Sequence, residues 1–275
     1  MKYKLTTILL GLMLCATPGA YATPEDDRIA LIKHFQTILP DIPFENYIYG
    51  SLAMSKQAMA QYEIMMDFPA YTHDLEEGKQ SWMNPLRNGA HIYSCFKNGG
   101  INAAAHYPYF DDAQGKVVTF ENAINDCLMD NNENEIMYGS REMTLLTAYA
   151  KSLSDGERVN IKVQSPAALA AYEDGKQIFY RRQGQANFSC ATCHVEHAGK
   201  FIRSEQLSMA IGQATHWPEF RAGTEPTSLQ TRFIQCQKST RTEPYEYNSS
   251  EFNNLEYFMT YMSNGLKMLT PVFRK

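Results

Sequence analysis

No stretch beyond residue 22 holds 18 uninterrupted apolar residues, so nothing there has the length of a membrane-crossing helix. Positive charge is also in short supply, with 25 Lys and Arg against 30 Asp and Glu in 275 residues. Such a balance gives no general attraction for nucleic acid or anionic lipid, and neither is expected as a partner. Cysteine is scarce, six residues in all, which makes the position of each one informative.

Residues 1–22 read as a secretory signal. Lys2 and Lys4 form a basic start, Leu5 to Ala16 is mostly apolar, and Ala20-Tyr21-Ala22 is a small-residue cleavage site. Cys15 lies inside this segment behind the bulky Leu12-Met13-Leu14, which does not suit a lipoprotein box. Cleavage removes two lysines and no acids, leaving Thr23–Lys275 with 23 basic against 30 acidic residues. The expectation is an exported, periplasmic protein long enough for two small domains. Five cysteines remain: Cys95, Cys127, Cys190, Cys193 and Cys236. An oxidising compartment favours pairing of those not otherwise used.

Ser189-Cys190-Ala191-Thr192-Cys193-His194 has the Cys-x-x-Cys-His form that attaches a c-type haem. Cys190 and Cys193 would add to the vinyl groups as thioethers, and His194 would supply the proximal nitrogen to iron. A zinc knuckle using His194 and His197 would want a second ligand pair from a separate segment. A redox dithiol would have no use for the histidine. The expected cofactor is one covalently bound haem c.

The chain also repeats itself. Gly78-Lys79-Gln80-Ser81-Trp82 echoes Gly175-Lys176-Gln177-Ile178-Phe179 at an offset of 97, and Ser94-Cys95 echoes Ser189-Cys190. Ile124-Asn125-Asp126-Cys127 matches Phe233-Ile234-Gln235-Cys236, and Ser154-Asp155-Gly156 matches Ser263-Asn264-Gly265, both at an offset of 109. The expected fold class is therefore mainly α, with two tandem class I cytochrome c-like domains over 71–160 and 161–275. An N-terminal helical extension over 23–70 precedes them. Within the extension, Ile29, Leu31, Ile32 and Phe35 share one face of a first helix, and a Met-rich second helix runs from about Ser55 to Asp67. In the second repeat Ser165 caps an opening helix with Pro166 at its first position. A closing helix from about Ser250 to Asn264 ends on Gly265.

Where the second repeat reads Cys190-Ala-Thr-Cys193-His194, the first reads Cys95-Phe-Lys-Asn98-Gly99, so the first carries no haem. Cys95 and Cys127 occupy the places of Cys190 and Cys236, and with no haem between them they could close on each other or remain separate thiols. Closure would make a loop of about 33 residues and contribute on the order of 3–4 kcal/mol. Cys236 is then the odd thiol, 42 residues after His194, in the part of the chain from which distal haem ligands come. Met209, Met259, Met262, Met268, His197 and His216 are the competing candidates. Arg232, Lys238 and Arg241 around Cys236 suggest a basic pocket suited to tetrahedral oxyanions, or a solvated basic loop.

Cys190-Ala-Thr-Cys193-His194-Val-Glu-His197-Ala-Gly199-Lys200, Gln213-Ala-Thr-His216-Trp217-Pro218, Arg232-Phe-Ile-Gln-Cys236 and Asn254-Leu-Glu-Tyr-Phe-Met-Thr-Tyr-Met-Ser-Asn-Gly265 together resemble the SoxA family, over roughly residues 70–275. SoxA is the larger cytochrome subunit of the SoxAX complex of bacterial sulfur oxidation. The missing first motif resembles the single-haem kind. The resemblance implies an L-cysteine S-thiosulfotransferase that joins thiosulfate oxidatively to a cysteine of the carrier SoxYZ. Two electrons would pass to an external electron-acceptor cytochrome c. It implies a heterodimer with the cytochrome SoxX, a distal iron ligand at Cys236 that can carry an extra sulfur as persulfide, and an oxyanion-binding arginine at Arg232. Two other readings stay open: an electron-transfer cytochrome with no sulfur chemistry of its own, and a thiosulfate dehydrogenase that forms tetrathionate.

Overall fold

A computed structural model describes residues 22–221 and 225–274; the expected signal segment, Cys15 included, lies outside them apart from Ala22. Among the described residues eight α-helices carry the fold: α1 (Pro24–Ile38), α2 (Lys56–Asp67), α3 (Thr72–Met83), α4 (Phe120–Asp130), α5 (Arg141–Ser152), α6 (Pro166–Tyr180), α7 (Leu229–Ser239) and α8 (Ser250–Met262). Strands are short: hairpins β1 (Tyr109–Asp111) with β2 (Lys116–Val118) and β3 (Phe201–Ile202) with β4 (Glu205–Gln206). A three-stranded sheet sets β5 (Glu219–Arg221) antiparallel to β6 (Glu225–Thr227) and parallel to β7 (Val272–Arg274). Among the described residues no helix is long and apolar enough to cross a membrane.

The repeat is physical. In the first unit α3 crosses α5, and in the second α6 crosses α8, each pair meeting at a glycine. A Cβ at Gly78 would stand 2.1 Å from the Leu145 carbonyl oxygen, and one at Gly175 2.0 Å from that of Asn254. Leu145 and Asn254 are 109 apart, as are the flanking Tyr149 and Phe258 that close the same two contacts. Only a residue without a side chain lets the two backbones approach this far. α4 and α7 are both 11 residues long and start 109 apart. Thr119 caps the first through the Asn122 amide and Ser228 the second through that of Thr231, satisfying orphan N–H groups at equivalent places.

The interiors of the two units differ. Trp82, Phe96, Tyr107 and Phe120 fill the first, with Trp82–Phe96 and Phe96–Phe120 centroids 5.1 Å apart and Tyr107–Phe120 5.0 Å apart. At the repeat positions of Phe96 and Phe120 the second unit carries Ala191 and Leu229. At these two positions the unit that lacks the attachment motif carries large rings, and the unit that has it carries smaller side chains. Cys95 and Cys127 are joined at an S–S distance of 2.01 Å across a separation of 32 residues.

One hydrophobic core runs through both units. The connecting segment belongs structurally to the second: Gly156 and Val159 donate to the Met268 and Leu266 carbonyls, while Gly265 and Met268 donate to those of Val159 and Glu157. Tyr71 stacks on Phe220 at 4.5 Å, and Asn122 reaches across to Asn248 at 2.5 Å. The extension is narrower in its apolar face than its periodicity suggests. Leu31 and Phe35 are buried, but Ile29 is exposed, because α1 lies on the haem-motif unit along one edge only. α8 stops at Met262 with Ser263 as its cap, so Gly265, at φ +87°, stands two residues past the cap.

Candidate functional site

The attachment motif forms a short helical turn after Ser189. Ser189 and Thr192 cap one another, each backbone amide donating to the other's hydroxyl at 3.2 and 3.0 Å. Thr192–Glu196 then winds as a π-type turn, a departure from regular α geometry that recurs at functional sites. His194 is fixed within it: Nδ1 lies 2.9 Å from the Ser208 carbonyl oxygen. An Nδ1–H donated there leaves Nε2 as the ligating nitrogen. Burial pushes the His194 pKa down, the Ser208 bond raises it, and the charge of Arg232 lowers it. A neutral imidazole is the form that binds iron.

Cys190, Cys193 and Cys236 are all free thiols. Burial, then the neighbouring Cys236, pushes Cys190 up to about 12, and the same two causes lead for Cys193. These shifts show that α7 brings Cys236 within electrostatic reach of both attachment cysteines. Arg232 stands four residues earlier, on the same face of α7. Its charge is felt by His194 and by the buried Glu219, so it faces the site. Lys238, only two residues after Cys236, falls on the far side of the helix and is exposed; Arg241 lies beyond the helix end and reaches Gln185. The expected three-residue basic pocket thus reduces to Arg232.

The competing candidates are placed as follows. His197 has its Nδ1 2.8 Å from the Thr192 carbonyl oxygen. His216 is buried 3.4 Å from Glu219, which also pairs with Arg221 at 2.5 Å. Met209, Met259, Met262 and Met268 are buried core residues. Among the described residues no three His, Cys, Asp or Glu side chains converge as a metal-holding group. The donor set fits a haem c: two unpaired thiols, one oriented imidazole and a third thiol on α7 within electrostatic reach of the other two. Trp217 Nε1 and Gln213 Nε2 are buried with no protein partner, donors that the acidic edge of such a group could take up.

Comparison with known proteins bears on the same residues. The SoxA/TsdA cytochrome c domain family matches residues 77–159 and 174–268, one segment for each unit. The L-cysteine S-thiosulfotransferase subunit SoxA of Chlorobaculum tepidum is 40% identical over 255 residues, 92% of this chain and 89% of that one. The chain belongs to the SoxA family. The SoxA of Allochromatium vinosum is 36% identical and covers 98% of this chain and 97% of its own length. In structure, this SoxA-family chain resembles one from the crystal structure of SoxXA from P. pantotrophus. The TM-score is 0.71 at 28% identity, covering 78% of this chain and 84% of that one.

Two features of the site left no mark in the sequence. The Ser208 carbonyl that orients His194 is a backbone group 14 residues away, and any residue type supplies it. The buried Glu219 cluster joins β5 to Arg274 near the C-terminus (3.9 Å), a pairing that no local spacing encodes.

Proposed function

We propose that this chain is the catalytic haem subunit of an L-cysteine S-thiosulfotransferase. It would hold one haem c on Cys190 and Cys193, ligated by His194 and Cys236, and work in the periplasm with a SoxX-type cytochrome partner. The carrier protein SoxYZ presents a cysteine thiol, and thiosulfate presents its outer sulfur. The two join as an S–S bond, giving a cysteine S-thiosulfonate, one proton and two electrons; the electrons leave to a c-type cytochrome. The haem, when bound, supplies one-electron acceptance next to the reacting sulfurs.

The protein groups have separable tasks. Arg232 offers a guanidinium fork to the sulfonate oxygens of thiosulfate. Cys236 carries a sulfane sulfur as persulfide, a site open to thiolate attack of the kind that thiol–disulfide exchange uses. Ser208 holds His194 in one tautomer. The observation that carries this reading is α7, which brings Cys236 within electrostatic reach of both attachment cysteines, with Arg232 one turn earlier on the same face. The relatives named as thiosulfotransferase subunits supply the reaction class, and the SoxXA structure supports the partner.

Cys236→Met is the test. The variant should keep its covalent haem by mass and lose coupling of thiosulfate to a carrier cysteine. A variant that still couples at the wild-type rate would leave an electron carrier as the better reading. Tetrathionate as the main product of the unaltered protein would favour the dehydrogenase.

A further inference from the structure

The N-terminal extension precedes the haemless unit in sequence but makes its closest contacts with the other one. Asp27 on α1 accepts from the Tyr172 hydroxyl at 2.9 Å and the Lys176 ammonium at 2.5 Å, both on α6. Arg28 donates to the Asn264 carbonyl at 3.2 Å, and His34 Nε2 lies 3.3 Å from the Val195 carbonyl oxygen, one residue past the proximal histidine. The 3₁₀ segment Phe44–Met54 is then clamped from two sides. Arg274 donates to the carbonyls of Tyr49 and Ile48, each at 2.9 Å. On the other side the Tyr47 carbonyl oxygen stands 2.3 Å from where a Cβ on Gly212 would lie.

Gly50 sits at the middle of this clamp at φ +56°, ψ −130°, a conformation that favours glycine. A Cβ there would meet Gln213 Nε2 at 3.0 Å, Ser208 Oγ at 3.2 Å and Ser208 Cβ at 3.4 Å. Ser208 is the residue whose carbonyl receives His194 Nδ1. Met54 and Leu39 close over Gly199, whose amide donates to Leu207, the neighbour of Ser208. The extension therefore abuts the one residue that fixes the proximal imidazole.

We infer that the extension, through Gly50 and Met54, is a positioning element for the proximal ligand. It holds the Ser208 carbonyl in place against His194 and so sets the donor strength of the imidazole toward iron. A stronger Nδ1–H···O=C bond makes the imidazole more basic and favours the oxidised metal. Displacing Ser208 should weaken that bond and raise the reduction potential. The inference rests on His194 being the proximal ligand.

The experiment compares holoproteins carrying Gly50→Ala and Gly99→Ala. Gly99 shares the positive φ, at +65°, but has nothing within 4 Å of its would-be Cβ, so it reports backbone strain alone. Haem attachment in each is checked by mass, and low-spin ligation by electron paramagnetic resonance. Gly50→Ala should raise the potential, with Gly99→Ala unchanged although both lose thermal stability. A Gly50→Ala protein that is less stable but has the wild-type potential would overturn the inference. If that variant does not accumulate, Met54→Ala, a change at a half-buried side chain, takes its place with the same two outcomes. The underlying reading fails separately: His194→Ala would then leave the resonance spectrum of the attached haem unchanged.

Discussion

Arg232 and Cys236 share one face of α7 but act on different atoms, so their substitutions should separate. Removing a charged hydrogen-bonding group from a bound anion costs roughly 1.5–3 kcal/mol. Arg232→Ala is therefore expected to raise KM for thiosulfate roughly 10–100-fold while haem content and the ligation spectrum hold. Steady-state kinetics at varied thiosulfate check this, and an unchanged KM would remove Arg232 from the site. Lys238→Ala, on the opposite face and exposed, should change neither KM nor spectrum. His194, Cys190, Cys193 and Cys236 are proposed residue by residue from the sequence, because the covalent and coordination chemistry of a haem c would demand those side chains. Ser208 was not legible, because its contribution is a carbonyl that every residue has.

The two helix crossings offer a matched pair of substitutions at the element scale. At Gly78 and Gly175 a methyl group would collide with a backbone oxygen, which no rotamer change relieves. Overpacking of this kind costs typically 1–3 kcal/mol or more. Gly175→Ala separates α6 from α8 beside the attachment motif and should lower haem incorporation, read from absorbance per polypeptide. Gly78→Ala should lower the melting temperature and leave haem content intact. The disulfide between the turn at Cys95 and α4 gives a second test. Cys95→Ser with Cys127→Ser releases a loop whose closure is worth about 3–4 kcal/mol. A melting temperature lower by about 6–12 °C is expected from calorimetry, again with the haem spectrum unchanged. The helices α1, α2, α6 and α8 were readable from caps and apolar spacing, whereas α7 was left open as a basic loop. The breadth of the α1 face was not, since Ile29 is left exposed by where α1 lies.

Across the whole molecule the two units meet through polar as well as apolar groups. Glu121 on α4, Glu256 on α8 and Lys151 on α5 interact at this junction. Burial first, and then the like charge of Glu256, raises Glu121 to about 7 from an ordinary 4.5, while Lys151 opposes the shift. Glu256 is raised by burial, against the pull of Lys151 and a bond from Gln230. By exposed area Glu121 keeps some contact with water, so its contribution is smaller than full burial would give. A carboxyl whose folded pKa is raised takes up a proton on folding. Its contribution is complete below about pH 4.5 and is lost as pH rises through about 7. Stability should therefore fall between pH 5 and 8, and Glu121→Gln should flatten that slope in denaturant titrations. A wild-type profile flat over this range would contradict the assignment.

From the sequence alone came the haem motif, the loss of that motif in the first repeat, the 97- and 109-residue offsets and the odd thiol at Cys236. Each depends on residue identity or on spacing along the chain, which chemistry and helix periodicity fix locally. Tertiary structure decided the rest. It reduced the basic cluster to Arg232, because Lys238 lies on the exposed face of α7 and Arg241 beyond its end. It merged the two units into one core by pairing 156–159 with 265–268. It also carried the extension past its neighbour in sequence to the side of the second unit that holds His194 and Ser208. These outcomes depend on which surfaces fit each other across tens to hundreds of residues, and burial of complementary faces, rather than any local signal, selects them.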